Sequence, residues 1–119
     1  MLLFSDALYS LREFPLQIAA GDYVLIRIND NAAAEEKTEP WVGHVTRRNL
    51  TQVTFNWMIK DKHGIFKEGV CVPKGDKASP NNILAKFKYD VNLPMPIELY
   101  SRLKNLSGIT SNNTPLNNL

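Results

Sequence analysis

Three short segments of strand-like sequence lie between Gly21 and Phe66, and they constrain the fold more than any other feature of this chain. The segments are residues 22–28, 41–46 and 51–59. Apolar and polar residues alternate in the second half of the first segment and through most of the third, a period typical of half-buried strands. Three such strands in a row, separated by polar turns, predict a small antiparallel β-barrel, so the expected fold class is mainly β.

Two further elements are predicted on the C-terminal side of these strands. Residues 97–106 predict one or two turns of helix, after a proline-rich break at residues 93–96. Residues 83–89 alternate again and are expected to close the barrel. The residues of this closing strand that would share one face are Ile83, Ala85, Phe87 and Tyr89.

The two ends of the chain differ from this central part. Apolar residues spaced three or four apart over residues 4–20 predict a short amphipathic helix, which Pro15 interrupts. Residues 107–119 are mostly asparagine, serine, threonine and proline, and they are predicted to be disordered. We therefore expect an N-terminal appendage or linker in residues 1–20, one barrel domain in residues 21–106 and a loose tail after it.

The composition excludes several classes of protein. The 119 residues are enough for one domain with a modest core. The net charge of +2, from 14 basic and 12 acidic residues, is too balanced to predict nucleic-acid binding from charge alone. No apolar run approaches the ~20 residues of a membrane-spanning helix, so we expect no membrane partner. A single cysteine, Cys71, excludes an internal disulfide framework and indicates an intracellular, reducing compartment.

The sequence carries no motif for catalysis, a metal or a cofactor. Two histidines, His44 and His63, and one cysteine cannot supply a zinc site with the usual spacing, and the six glycines are scattered. Cys71 could pair with either histidine as a nucleophile and base, but it lies between two valines in a predicted apolar strand, where free cysteine behaves as a small apolar residue. We therefore predict a protein that is not an enzyme and needs no cofactor.

Aromatic residues lie where the predicted strands meet their loops, so their rings can project over the rim of a small barrel. Such rings attract a cationic group by about 0.5–2 kcal/mol per contact, and acidic residues of the loop before the second strand would add complementary charge. Core packing is the competing explanation. It is favoured for Phe55 and Trp57, and the question stays open for Trp41 and Tyr23. The predicted peptide-binding residues are Tyr23, Trp41, Trp57, Phe66 and Glu39.

Basic residues form a second candidate surface. Arg47 and Arg48 end the second predicted strand, and Lys60 and Lys62 flank the turn after the third. If these four side chains converge, they would suit the phosphates of a nucleic acid. Charged residues on an ordinary solvated strand face explain the same pattern, and the near-neutral net charge favours that explanation.

Several segments resemble those of known chromatin modules. Residues 22–27, which read Asp-Tyr-Val-Leu-Ile-Arg, and residues 41–45 look like the first two strands of BAH and Tudor-like domains. Residues 53–60, in which an alternating pattern runs into a tryptophan, two large apolar residues and a lysine, are similar to a BAH strand. The chain also resembles SH3-like domains of animal proteins related to mobile elements, in residues 57–58, 64–67, 83–84 and 94–97.

These resemblances imply a small SH3-like antiparallel β-barrel in a nuclear, chromatin-associated protein. They imply a non-enzymatic interaction module that binds a protein or peptide, with a modified histone tail as the candidate ligand. Two alternatives stay open. One is a scaffold domain that docks a partner subunit. The other is a nucleic-acid-binding barrel that uses Arg47, Arg48, Lys60 and Lys62.

Overall fold

Strands dominate the part of the chain that the computed structural model describes, which is residues 8–10, 17–70 and 72–109. The one α-helix in these residues, α1, is Ile97–Leu106, and short 3-10 helices cover Ala34–Lys37 and Pro80–Asn82. No helix in the same residues is long and apolar enough to cross a membrane. The strands are β1 (Leu8–Ser10), β2 (Tyr23–Ile26), β3 (Trp41–Arg48), β4 (Val53–Lys60), β5 (Phe66–Glu68), β6 (Asp76–Ala78) and β7 (Ile83–Phe87).

All of these strands pair antiparallel in a single sheet. The order across the sheet is β1-β7-β2-β3-β4-β5, and β6 pairs with the N-terminal half of β4, while β5 pairs with its C-terminal half. The predicted mainly β, antiparallel class is confirmed. The sheet is open in the described residues, because β1 and β5 lie at its two ends and do not pair with each other.

The longest pair of strands, β3 and β4, forms a hairpin whose turn is held by one side chain. Asn49 Oδ1 accepts hydrogen bonds from the backbone N–H groups of Thr51 and Gln52, an arrangement that favours asparagine at such a turn. The register places Val42 opposite Met58 and shifts by one residue between Val45 and Arg47.

Apolar side chains cover both faces of the sheet. On β2, Val24 and Leu25 are both fully buried although they point to opposite faces, because a central strand of a covered sheet has no solvated side. The first core packs α1 against the sheet through Leu25, Val42, Met58, Phe66, Ala85, Phe87, Met95, Leu99 and Leu103. The second core contains Ile18, Val24, Ile26, Val45, Val53, Phe55 and Ile83.

The predicted C-terminal helix is confirmed as α1. Leu99 and Leu103, four residues apart, lie on one face of α1 and are buried against the sheet. Glu98 in the first turn and Lys104 in the last turn have the charges that favour each end of the helix dipole. The predicted strand over residues 83–89 is also confirmed as β7, with Ile83, Ala85 and Phe87 all buried, but it ends at Phe87 and leaves Tyr89 half-buried beyond it. It was expected to close a barrel, and it instead pairs with β1 and β2 within the open sheet.

The predicted N-terminal helix is not found where the chain is described. Within residues 4–20, Leu8–Ser10 is a strand that pairs with β7, because the outer edge of β7 offers free backbone groups that an extended segment can satisfy. Residues 17–20 form loop and turn, and Ile18 is buried in the second core. The remainder of the predicted helix, residues 1–7 and 11–16, lies outside the described residues.

Two other predictions fall partly on undescribed residues. Cys71 and residues 110–119 lie outside the described part of the chain. The valines on either side of Cys71, Val70 and Val72, lie in bends rather than in the predicted strand, and Val70 is almost fully exposed.

Gly43 in β3 is expected to tolerate no larger residue. A Cβ atom there would lie 2.7 Å from Cδ2 of Phe55 and 2.9 Å from Cδ1 of Ile26, and Phe55 is itself locked in the second core. Gly43→Ala should lower the free energy of unfolding by about 1–3 kcal/mol through overpacking, as measured by denaturant unfolding. Thr46→Ala, at an exposed position of the same strand, is the control and should change it by less than ~0.5 kcal/mol. Equal stability of the two variants would contradict the proposed role of Gly43.

Candidate functional site

Trp41 and Trp57 form a perpendicular pair of rings at one end of the β3–β4 hairpin. Trp41 is the first residue of β3, and Trp57 lies near the end of β4. Their ring centroids are 5.6 Å apart with an interplanar angle of 89°, and both residues are half-buried. The buried ring of Phe55 packs edge-on against Trp57 at 4.7 Å and supports it from the core. Phe55 itself occupies the space that Gly43, the cross-strand partner of Trp57, leaves empty.

Both indole N–H groups are already bonded within the chain. Nε1 of Trp41 donates to the backbone oxygen of Glu36 at 2.9 Å, and Nε1 of Trp57 donates to Oδ2 of Asp76 at 2.9 Å. These bonds fix how the two rings are oriented before any ligand arrives. Their π faces are then the surfaces through which the rings can contact a ligand.

A cavity of about 610 Å³ lies beside this pair. Its lining includes three glutamates, Glu35, Glu36 and Glu39, and one lysine, Lys60, whose formal charges sum to −2. Both tryptophans line it, and apolar surface comes from Ile59, Val72 and Pro73. An acidic, partly aromatic cavity of this kind attracts a cationic group with aliphatic or aromatic neighbours.

The acidic part of the lining is held in place by the loop before β3. The 3-10 helix Ala34–Lys37 begins with Glu36 Oε1 accepting the backbone N–H of Ala33 at 2.9 Å. The backbone oxygen of Glu36 also accepts a hydrogen bond from the indole N–H of Trp41, so the loop and the ring are fixed to each other. Thr38 Oγ1 donates to the backbone oxygen of Glu35 at 2.8 Å and closes the turn.

Lys60 and Glu39, which both line the cavity, form a cluster with Tyr100. Nζ of Lys60 lies 3.1 Å from Oε1 of Glu39 and 4.6 Å from the centroid of the Tyr100 ring. Lys60 also donates to the Tyr100 hydroxyl at 3.3 Å, and that hydroxyl donates to Glu39. Burial, followed by the hydrogen bond and negative charge of Glu39, raises the pKa of Tyr100 well above its ordinary value, so the hydroxyl remains a donor.

A second cavity, of about 480 Å³, shares both tryptophans but differs in charge. Its lining contains two basic residues, Arg27 and Lys77, and two acidic residues, Asp30 and Asp76. Because these charges balance, this cavity favours neither cations nor anions. The acidic cavity is therefore the better candidate for a charged ligand.

The structure brings together most of the predicted peptide-binding residues, but Tyr23 lies elsewhere. Trp41, Trp57, Phe66 and Glu39 all line the acidic cavity. Tyr23 pairs across the sheet with His44, and the two rings stack with centroids 4.7 Å apart. The reason is strand alternation, since Tyr23 packs on the first core whereas Trp41 packs on the second.

Phe66 was predicted to be an exposed ring at the rim, but it is a core residue with 2% of its surface exposed. Its backbone N–H donates to the Tyr89 hydroxyl at 2.8 Å, and its ring packs 6.1 Å from that of Tyr89 and 6.3 Å from that of Tyr100. β5 pairs with β4 in a register that sets Phe66 opposite Lys60 and buries its ring beneath α1. Phe66 therefore supports the cavity rather than forming an exposed wall.

The four basic residues predicted for nucleic-acid binding do not converge. Arg48 pairs with Val53 at the start of β4, whereas Lys60 is the last residue of that strand. Seven residues of extended strand separate these ends by roughly 23 Å. Arg47 and Arg48 therefore lie at one end of the hairpin, and Lys60 and Lys62 lie at the other. The register of the hairpin excludes a single basic face built from all four.

Sequence analysis missed Tyr100 and Asp76 as parts of the site. Tyr100 is 40 residues from Lys60 in sequence and reaches Lys60 and Glu39 only because α1 packs across the sheet. Asp76 orients Trp57 across a separation of 19 residues. A local sequence pattern carries no signal for either contact.

The described residues contain no candidate metal site, and the chain has no match among known proteins. Within the described ranges, no three histidine, cysteine, aspartate or glutamate residues are grouped as a metal ion would require. Comparison of the whole chain with protein-family models, curated proteins and solved structures finds no match.

Phe66→Ala should show whether this ring is structural. Removing a large buried ring should lower the free energy of unfolding by about 3–5 kcal/mol, measured by denaturant unfolding. Lys67→Ala, the exposed neighbour on β5, is the matched control and should cost less than ~1 kcal/mol. A Phe66 variant as stable as the control would restore the original placement of this ring at the exposed rim.

The cluster around His44 predicts a pH dependence of stability. Oε2 of Glu68 lies 3.0 Å from Nδ1 of His44, and hydrogen bonds from His44, Lys74 and Asn56 lower the pKa of Glu68 below its ordinary value of 4.5. Because this pKa is lower in the folded state than in the unfolded chain, the stabilisation is present above about pH 4.5 and is lost as the pH falls through the folded pKa.

Glu68→Gln should therefore lower the free energy of unfolding at about pH 7, by no more than ~1 kcal/mol because water screens these half-exposed partners. The difference from the unmodified protein should shrink at about pH 3, as chemical denaturation at both pH values would measure. Glu35→Gln, in the exposed turn before β3, is the control. A difference for Glu68→Gln that is equally large at both pH values would contradict the assignment.

Proposed function

We propose that this chain is a non-enzymatic interaction module that binds a peptide through a cationic side chain. The perpendicular Trp41–Trp57 pair in a cavity that three glutamates also line is the observation that carries this proposal. Two rings at right angles offer a cation two π faces, and the indole is the strongest of the aromatic side chains in this interaction. The carboxylates add an attraction that a neutral ligand would not gain.

The best-fitting cation is a methylated lysine. Methylation removes the hydrogen-bond donors of the ammonium and covers it with carbon, so the head group loses less hydration when it enters an apolar, aromatic cavity. Aromatic rings and the side chains of Ile59, Val72 and Pro73 supply such surroundings. A modified histone tail is the candidate ligand, which would make this chain part of a chromatin-associated, nuclear protein.

An SH3-like barrel is part of the same proposal. Residues from β2, β3, β4 and β7 meet in the second core, as residues of neighbouring strands do inside a small barrel. Small barrels of this kind bind ligands at the strand ends and loops. Trp41 lies at such a strand end, and the acidic loop, which contains Glu35, Glu36 and Glu39, directly precedes it.

Binding of a trimethyllysine peptide tests the function directly. The reference is a peptide of identical sequence in which a neutral tert-butyl group replaces the trimethylammonium, so the two head groups share their shape and differ in charge. The unmodified protein should bind the charged peptide at least several-fold more tightly, because only the cation gains from the rings and the carboxylates. Titration followed by tryptophan fluorescence or calorimetry measures both affinities.

Trp41→Leu should weaken binding of the charged peptide by about 2- to 30-fold, the equivalent of one lost cation–π contact, while leaving the neutral peptide almost unaffected. Tyr23→Leu is the matched control, because it removes an aromatic ring outside the cavity and should leave both affinities unchanged. Circular dichroism confirms that both variants are folded. Equal affinity for the two peptides, or binding of duplex DNA alone, would overturn the proposal.

A further inference from the structure

We infer that Lys60 is an internal competitor for the cationic ligand and that it limits which ligands can bind. Its ammonium lies at the acidic cavity and pairs with Glu39 in the chain without ligand. A ligand cation must then share or displace this lysine. The inference rests on the proposed function, since it concerns selectivity at the same cavity.

The contacts of Lys60 match those expected of a bound cation. Its Nζ atom has a carboxylate at 3.1 Å and an aromatic ring centroid at 4.6 Å, from Glu39 and Tyr100 respectively. A ligand cation would combine the same two kinds of group, using a carboxylate and the rings of Trp41 and Trp57. Lys60 therefore neutralises one of the three carboxylates that make the cavity attractive to a cation.

Lys60 can leave this position at small cost. The side chains of Lys60 and Glu39 are 35% and 49% exposed, so water screens their attraction. A lysine side chain is flexible, and its ammonium is well hydrated when it turns into solvent. Ion pairs of this kind correspond to an effect of at most about fivefold on an equilibrium constant. Lys60 can thus reduce the affinity of a cation without blocking the cavity.

Tyr100 is a positioning residue in this arrangement. Its hydroxyl donates to Glu39 independently of Lys60, so the carboxylate keeps this hydrogen bond when the lysine leaves. Lys104 lies 5.7 Å from the centroid of the same ring and keeps a cation near Tyr100. The cavity thus keeps a fixed acceptor, and only the cation that occupies it changes.

Lys60→Gln should raise the affinity for the trimethyllysine peptide by about three- to fivefold, because the peptide no longer competes with an internal cation. Lys62→Gln removes the same charge two residues along, from an exposed turn residue that does not line the cavity, and should change the affinity by less than about 1.5-fold. Tryptophan fluorescence titration measures the peptide affinity of the unmodified protein and of both variants, and thermal melts establish that all three are folded.

A double-mutant cycle separates the pairing with Glu39 from a general effect of charge. In a Glu39→Gln background, Lys60→Gln should no longer raise the affinity for the peptide, because the carboxylate with which Lys60 pairs is absent. Raising the ionic strength should also reduce the difference in peptide affinity between Lys60→Gln and the unmodified protein, since salt screens the exposed Lys60–Glu39 pair.

The possible outcomes distinguish this inference from the proposed function. If the unmodified protein binds the peptide and Lys60→Gln behaves as Lys62→Gln does, the role of Lys60 is overturned and the proposed function stands. Weaker binding by Lys60→Gln would overturn it as well, because the lysine would then contribute to binding. If the unmodified protein and both variants all fail to bind, the proposed function fails and the competitor role fails with it.

Discussion

The pairing of β3 with β4 places Gly43 opposite Trp57, and the ring of Phe55 fills the room that the glycine leaves. Trp57 packs on Phe55, and Trp41 packs on Trp57, so a buried ring determines the position of two half-buried ones. A shift of one residue in this register would turn every side chain of β4 to the other face of the sheet. The aromatic pair, the cavity beside it and the second core all depend on this one alignment.

Charge at the cavity depends on contacts that come from three separate parts of the chain. The acidic loop is held to Trp41 by an indole hydrogen bond, Lys60 comes from the end of β4, and Tyr100 comes from α1. Each interaction is partly exposed and individually weak, as is expected of ion pairs and hydrogen bonds that water screens. Stability comes instead from the two apolar cores, which hold the strands on which these groups stand. The site can therefore change its contacts while the sheet stays intact.

Local periodicity was sufficient to predict the main strands and the buried face of β7. Alternation in the predicted closing strand identified Ile83, Ala85 and Phe87, which are buried, and the same pattern identified Phe55 as a core residue. These predictions succeed because the period of a strand is set by its own backbone. The pattern was less informative for β2, where Val24 and Leu25 are both buried because the sheet is covered on both faces.

The sequence by itself determined the antiparallel β class, the position of the β3–β4 hairpin and the presence of an acidic loop next to a tryptophan. Only the tertiary structure decided which aromatic rings share a cavity. Tyr23 and Trp41 begin neighbouring strands yet serve different cores, and Phe66 is buried beneath a helix that begins about thirty residues later. The tertiary structure also decided that Arg48 and Lys60 lie at opposite ends of the β3–β4 pair. The physical reason is that the alternation of apolar and polar residues specifies the two faces of a strand, whereas long-range packing and register decide which residues each face contacts.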